Sequence, residues 1–241
     1  MTARPPLDVA REVAEEVGAF CLSNWGHVDP ADIEAKAPRD FVSTVDRKAE
    51  DIARDRLLHY YPDIPVVGEE RGGKAEGTFW IVDPLDGTSN FLSGLPLWCV
   101  SIGLVREGVP VLGAIVAPAL KFSVSATTQG SGDVTTISPF PGGFNRCIAV
   151  GRNPGSSRAR RETREVDLEE AGFTLVNLGS CALSLAFVAT GRLGGYVEFG
   201  TRLWDCAAGA AICKAAARPL RLGCIAEEFR IDIEAGFGVL D

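Results

Sequence analysis

Two apolar runs, residues 97–105 and 109–117, are separated only by Arg106-Glu107-Gly108. Strand-type runs joined by so short a glycine-containing link read as an antiparallel hairpin. No other feature constrains the fold more, because the remaining elements must be arranged around that hairpin. Upstream, Val9, Val13, Val17 and Phe20 recur at helical spacing behind Pro5 and Pro6, with Gly26 closing the helix. A second amphipathic helix follows Ser43 and Thr44 and carries Val45, Ala49, Ile52, Ala53 and Leu57 on one face. Short β-type runs then fall at 64–67 and 79–83. Downstream the pattern predicts strands at 147–150, 173–178 and 196–199, alternating with helices over 156–171, 180–190 and 204–217. Interleaved helices and strands with hairpin and crossover connections predict a mixed α/β (α+β) fold, its sheets layered with helices. The Gly-, Pro-, Ser- and Thr-rich stretch 128–145 is the candidate junction between an N-terminal lobe, 1–130, and a C-terminal lobe, 131–241.

With 241 residues, 46% apolar and 23% charged, the chain can bury a core without disulfides. Its formal net charge of −8 argues against gripping nucleic acid or an anionic membrane, and leaves carboxylates for divalent cations. Seven cysteines without CxxC spacing argue against a disulfide framework or a Cys-rich zinc site. His27 and His59 are the only histidines, and no G-x-S-x-G elbow occurs, so Ser/His hydrolysis is set aside. Without a secretory leader or an apolar run of spanning length, a cytoplasmic location is expected.

The chemistry concentrates in Trp80-Ile81-Val82-Asp83-Pro84-Leu85-Asp86-Gly87-Thr88-Ser89-Asn90-Phe91. An apolar strand is expected to end at Asp83, because Pro84 cannot donate to a ladder, with Asp86 beyond a tight turn. Two carboxylates and the Leu85 carbonyl would then converge, a hard oxygen set that suits Mg²⁺. Gly87 permits close approach of a ligand, and free N–H groups at Thr88 and Ser89 favour an anion. An ordinary Asp-rich turn accounts for the same residues. Glu69 and Glu70 end the strand at 64–67, as metal ligands or as a solvated loop. Asp46 fits either a site carboxylate or a first-turn acid behind Ser43, and Asp205 either a ligand or a helix cap. Arg158, Arg160, Arg161 and Arg164 are expected on a solvated helix face, paired with glutamates at helical spacing.

Together these segments resemble the inositol monophosphatase family of Mg²⁺-dependent, lithium-sensitive phosphatases. The resemblance rests on the WIVDPLDGTSNF stretch, the preceding Gly68-Glu69-Glu70, Asp40 to Asp46 upstream, and the late Trp204-Asp205-Cys206-Ala207-Ala208-Gly209, in that order. It covers about residues 7 to 215 and implies a layered α-β-α-β-α sandwich of the sugar-phosphatase type. It implies that Glu69, Asp83 and the Leu85 carbonyl hold one Mg²⁺, and Asp83, Asp86 and Asp205 a second, with two to three ions in all. Thr88 and Gly87, partnered by Asp46, would place the phosphate and, together with Glu69, the attacking water, with Glu70 ordering water. Lys36 would lie near the metals and, with Ser89, Ser180 and Glu198, would contact substrate. The implied reaction is hydrolysis of inositol monophosphate or a similar small polyol or sugar phosphate by metal-activated water, in a homodimer.

Fructose 1,6-bisphosphate, phosphoadenosine phosphates and histidinol phosphate are alternative substrates within the family, and a non-catalytic regulatory or binding protein is the alternative of another class. Ser43 and Ser89 replace the family's usual threonines. The segment 122–144 and the tail after 215 depart from its pattern.

Overall fold

The computed structural model describes residues 4–37, 40–128, 135–136, 145–153, 157–223 and 229–236. Helix α1 (Pro6–Asn24) buries Val9, Val13 and Val17. A hairpin absent from the sequence reading follows, β1 (Ile33–Ala37) against β2 (Asp40–Ser43). Ser43 and Asp46 then form a capping box at the start of α2 (Thr44–Tyr60), each satisfying an otherwise orphan backbone donor.

The first sheet runs in chain order through β3 (Val66–Gly68), β4 (Thr78–Asp86), β5 (Cys99–Arg106), β6 (Val109–Ala117), β7 (Phe122–Thr127) and β8 (Thr135–Thr136), with the short helix α3 (Thr88–Leu92) between β4 and β5. Strands β5 and β6 are the expected hairpin. Strand β4 does not end at Asp83 as expected. Asp83 faces Ser101 and Asp86 faces Cys99, so three steps along β4 match two along β5. This bulge accommodates Pro84, which has no N–H for the ladder, and carries the strand to Asp86.

The second sheet is built from β9 (Cys147–Val150), β10 (Thr174–Val176), β11 (Gly195–Arg202), β12 (Leu220–Leu222) and β13 (Arg230–Ala235), in spatial order β10-β9-β11-β13-β12. Its helices are α4 (Arg158–Glu170), α5 (Cys181–Ala189) and α6 (Leu203–Ala215). Most of the 128–145 stretch read as a junction, the helix start at Ser156, and Cys224 lie outside the described residues. The six described cysteines are free thiols. Among the described residues no helix is long and apolar enough to cross a membrane.

Alternation along β4 explains the layering: Trp80 and Val82 join the core under α1 and α2, while Phe79 and Ile81 join the core beneath α5 and α6. Ile148, Val150 and Val197 cover the far face of the second sheet with Leu168 of α4. The stack is therefore α-β-α-β-α. Helix α6 packs tightly on the first sheet, where a Cβ on Gly113 would stand 2.1 Å from the Ala208 carbonyl oxygen. That closeness requires glycine in β6 and small residues in α6, and it fixes where Asp205 lies. The α4 arginines are not simply a solvated face. Arg158 and Arg161 pair along the helix with Glu162 and Glu165, but Arg160 and Arg164 reach Asp232 and Glu234 of β13. Tertiary packing supplies those carboxylates, so helical spacing cannot reveal them.

Candidate active site

The site forms where β4 passes into α3. Leu85 donates its N–H to Asp83 Oδ1 at 2.9 Å, within the bulge. Gly87 follows at φ +96°, and a Cβ there would meet the Leu97 carbonyl oxygen at 2.8 Å, so only glycine fits. The Thr88 hydroxyl lies 3.0 Å from both Asp46 Oδ1 and the Leu85 carbonyl oxygen; its one proton serves one acceptor at a time. Asp46 uses its other oxygen, Oδ2, for the Ser43 N–H and hydroxyl. One carboxylate thus caps α2 and holds Thr88.

Glu69 from the end of β3, Asp83 from β4 and Asp205 from the first turn of α6 each present a carboxylate oxygen within 4.8 Å of the others. Asp205 Oδ2 also accepts from Thr201 Oγ1 at 2.9 Å and the Arg202 N–H at 3.1 Å; helix cap and site carboxylate are one residue. Lys36 of β1 pairs with Glu69 at 3.3 Å and with Glu70. Among the described residues, no ion pair reaches Asp83 or Asp205.

Burial is the main cause of high carboxyl pKa values here. Glu69 is pushed up to about 7 by burial, against the opposing pull of Lys36. Asp83 is raised by burial and by Glu69, Asp86 and Asp205; Asp205 is raised by burial, Glu69 and Asp86. Glu70 is also raised by burial, with Lys36 opposing. Burial disfavours the Lys36 ammonium, but Glu69 and Glu70 outweigh it and the net shift is upward. Three crowded carboxylates that resist ionisation together are the donor set a hard divalent cation relieves, and all offer oxygen. The residues fit Mg²⁺.

Asp86 stands apart from that trio. It accepts from the Ser180 hydroxyl, from the Ala182 N–H at 2.7 Å and from the Cys181 N–H at 3.3 Å, all at the N-terminus of α5. Burial lifts it to about 6 despite these bonds. Ser180 therefore spends its hydroxyl proton on Asp86. Glu198, buried on β11, accepts from the Tyr196 hydroxyl at 2.6 Å and from Asn153 Nδ2 at 3.1 Å.

A cavity of about 570 Å³ is lined by Lys36, Glu69, Asp83, Leu85, Asp86, Gly87, Thr88, Ser89 and Asp205. A chamber of about 230 Å³ shares Asp86 and Asp205 with it and brings in Ser180, Tyr196 and Glu198. Asp46 and Glu70 line neither, and reach the site through Thr88 and Lys36. Tyr196, Asn153 and the buried Glu50 are absent from the sequence reading. Tyr196 lies two residues before Glu198, on the same strand face. Glu50 lies one helical turn beyond Asp46, a second buried carboxylate on the inward side of α2. Nothing local marks Asn153.

This layered sandwich, with buried and half-buried acids gathered at the ends of β3, β4 and the start of α6, has the architecture of a sugar-phosphatase-type protein. The Inositol monophosphatase family model matches residues 3–221, and the chain belongs to that family. An uncharacterised protein of Sinorhizobium fredii is 48% identical over 215 residues, covering 88% of this chain and 78% of that one. An inositol-1-monophosphatase of Mesorhizobium japonicum is 37% identical over 214 residues, covering 84% and 80%. Among solved structures, the extragenic suppressor protein suhB of Bartonella henselae superposes with TM-score 0.81 at 29% identity, covering 95% of this chain and 93% of that one.

Proposed function

We propose that this protein hydrolyses inositol monophosphate or a similar small polyol or sugar phosphate in the presence of Mg²⁺. The observation that carries this reading is the meeting of Glu69, Asp83 and Asp205 in the cavity that Thr88 also lines. We assign two to three Mg²⁺ to Glu69, Asp83, Asp86, Asp205 and the Leu85 carbonyl; when bound, such ions acidify water and offset charge on phosphoryl and leaving oxygens.

The chain's own residues supply the rest. With its proton directed to Asp46 Oδ1, the Thr88 hydroxyl has lone pairs to accept from the attacking water and aim it at phosphorus. Glu69 is a second acceptor for that water, and Glu70 acts through Lys36. Backbone N–H groups at Gly87, Thr88 and Ser89 would receive the phosphoryl oxygens. Glu198 keeps acceptor capacity beyond its bonds to Tyr196 and Asn153, which suits substrate hydroxyls in the smaller chamber; Ser180 forms its rim. Attack is direct, with no phosphoenzyme. We further assign the metal-bearing motifs to a lobe ending near residue 130, and expect a cytoplasmic homodimer that does not bind nucleic acid.

Phosphate release from a panel of phosphomonoesters, with Mg²⁺, with EDTA and with added Li⁺, tests the reading. Mg²⁺-dependent, Li⁺-inhibited turnover strongest on inositol 1-phosphate is the expected result. Preference for fructose 1,6-bisphosphate, a phosphoadenosine phosphate or histidinol phosphate would overturn the substrate assignment and keep the metal site. Mg²⁺ binding without turnover on any substrate would favour a regulatory binding protein.

A further inference from the structure

Helix α2 carries a second buried carboxylate one turn beyond Asp46. Glu50 is 0% exposed, and it lies inside the turn that follows β3. Its Oε2 accepts the Glu70 N–H at 2.6 Å; its Oε1 accepts the Arg71 N–H at 3.1 Å and Arg54 Nη2 at 2.9 Å. Arg54 also donates to the carbonyl oxygens of Val66 at 2.7 Å and Gly72 at 3.0 Å. Gly68 and Gly72 close the turn with reciprocal bonds of 3.0 Å, and the Glu69 N–H reaches the Val82 carbonyl oxygen at 3.2 Å. The carboxylate fills the space beside Gly68, where a Cβ would stand 2.1 Å from Glu50 Oε1. Glycine before the paired glutamates is therefore a steric requirement of Glu50.

We infer that Glu50 is a positioning residue for the metal-ligand turn, holding Glu69 toward the cavity and Glu70 against Lys36. The inference rests on the reading of Glu69 as a Mg²⁺ ligand. Backbone N–H groups at a turn tip need acceptors, and here one rigidly held carboxylate supplies both. Asp46 and Glu50 are four residues apart on α2, so one helix face fixes Thr88 through the first and the Glu69 turn through the second. The two halves of the site are registered by a single rigid element, and groups that orient ligands in this way govern metal affinity.

Glu50→Gln in the full chain is the test. Glutamine keeps the shape, but its amide nitrogen must face either the Glu70 N–H or the donors of Arg71 and Arg54. Titration calorimetry with Mg²⁺ alone should show affinity weakened by about 10–100-fold. The Mg²⁺ needed for half-maximal phosphate release should rise in parallel, with the substrate KM at saturating Mg²⁺ holding within about twofold if the defect lies in metal binding. Asp51→Asn removes the exposed pair to Arg71 on the same turn, and should leave Mg²⁺ affinity unchanged. Wild-type Mg²⁺ affinity in Glu50→Gln overturns the proposal. A wild-type protein that binds no Mg²⁺ overturns the functional reading and this inference together, so the two failures are distinguishable. Should Glu50→Gln not fold, amide hydrogen exchange in the wild type decides: Glu70 and Arg71 amides protected like the sheet support the clamp, and exchange at open-loop rates overturns it.

Discussion

Removing the titration of Glu69 should abolish part of the stability loss that the metal-free protein shows as pH rises. Its carboxyl lies at about 7 rather than the ordinary 4.5, so between those values the native state holds a proton that the unfolded chain has released. Stability is full below about 4.5 and is lost as pH rises through about 7. At about 1.4 kcal/mol per pH unit, the unscreened loss is about 3–4 kcal/mol. A quarter of the side chain is still exposed, and solvent screening reduces this to about 1–2 kcal/mol. For a chain of this length each kcal/mol moves Tm by about 2–4 °C. Glu69→Gln cannot ionise, and it also relieves Asp83 and Asp205 of a neighbouring charge. In EDTA, its Tm relative to wild type should therefore rise by about 2–8 °C between pH 5 and pH 8. Added Mg²⁺ should stabilise the wild type more at pH 8 than at pH 5, because protons compete for the same oxygens. Thermal unfolding followed by circular dichroism reads both quantities. A Tm difference in EDTA that stays constant from pH 5 to pH 8 would refute the reasoning.

Asp205→Asn should retain the fold, since its amide oxygen can still accept from the Arg202 N–H, yet lose at least about 100-fold in phosphate release, more than an outer partner costs; full activity at saturating Mg²⁺ would leave Asp205 a helix cap. Tyr196→Phe should raise KM for a polyol phosphate about tenfold, by removing the bond that orients the Glu198 carboxyl, of a kind worth about 1.5–3 kcal/mol, while turnover of a small aryl phosphate stays near wild type; equal effects on both substrates would count against Glu198 as a hydroxyl contact. Gly113→Ala sets a Cβ 2.1 Å from the Ala208 carbonyl oxygen and should destabilise by about 1–3 kcal/mol, read by denaturant unfolding. An unchanged midpoint would mean that α6 can move away without penalty.

The β5–β6 hairpin and the helices α1 and α2 were legible because their signals are local: apolar runs around a short turn, and Val9, Val13 and Val17 at helical spacing. The β1–β2 hairpin was not: Ile33 to Ala37 does alternate apolar and polar, but the strands are only five and four residues long and residues 34–36 are exposed, so no strong apolar run marks them. Strand β7 turns Phe122, Val124 and Ala126 inward, but the intervening serines give it the composition of a loop. The path of β4 through Pro84 depends on a bulge against β5, which no β4 residue announces. Asp86 shows the same limit within the site. Its position beside Asp83 in sequence suggests a shared cation, but gives no sign that the N-terminus of α5, from the other half of the chain, also donates to it through Ser180, Cys181 and Ala182.

What the sequence determined by itself was the kind of chemistry: acids at strand ends and helix starts, glycines beside them, and almost no histidine, in the pattern of one family. These are short-range facts, written within a few residues of each other. Tertiary structure decided which acids meet. Asp205 reaches Glu69 and Asp83 because α6 is pressed against Gly113, and Glu50 enters the Glu69 turn because Gly68 leaves it room. Such contacts are set by burial and close packing between distant segments, and a carboxylate's neighbours across the core leave no trace in the residues beside it.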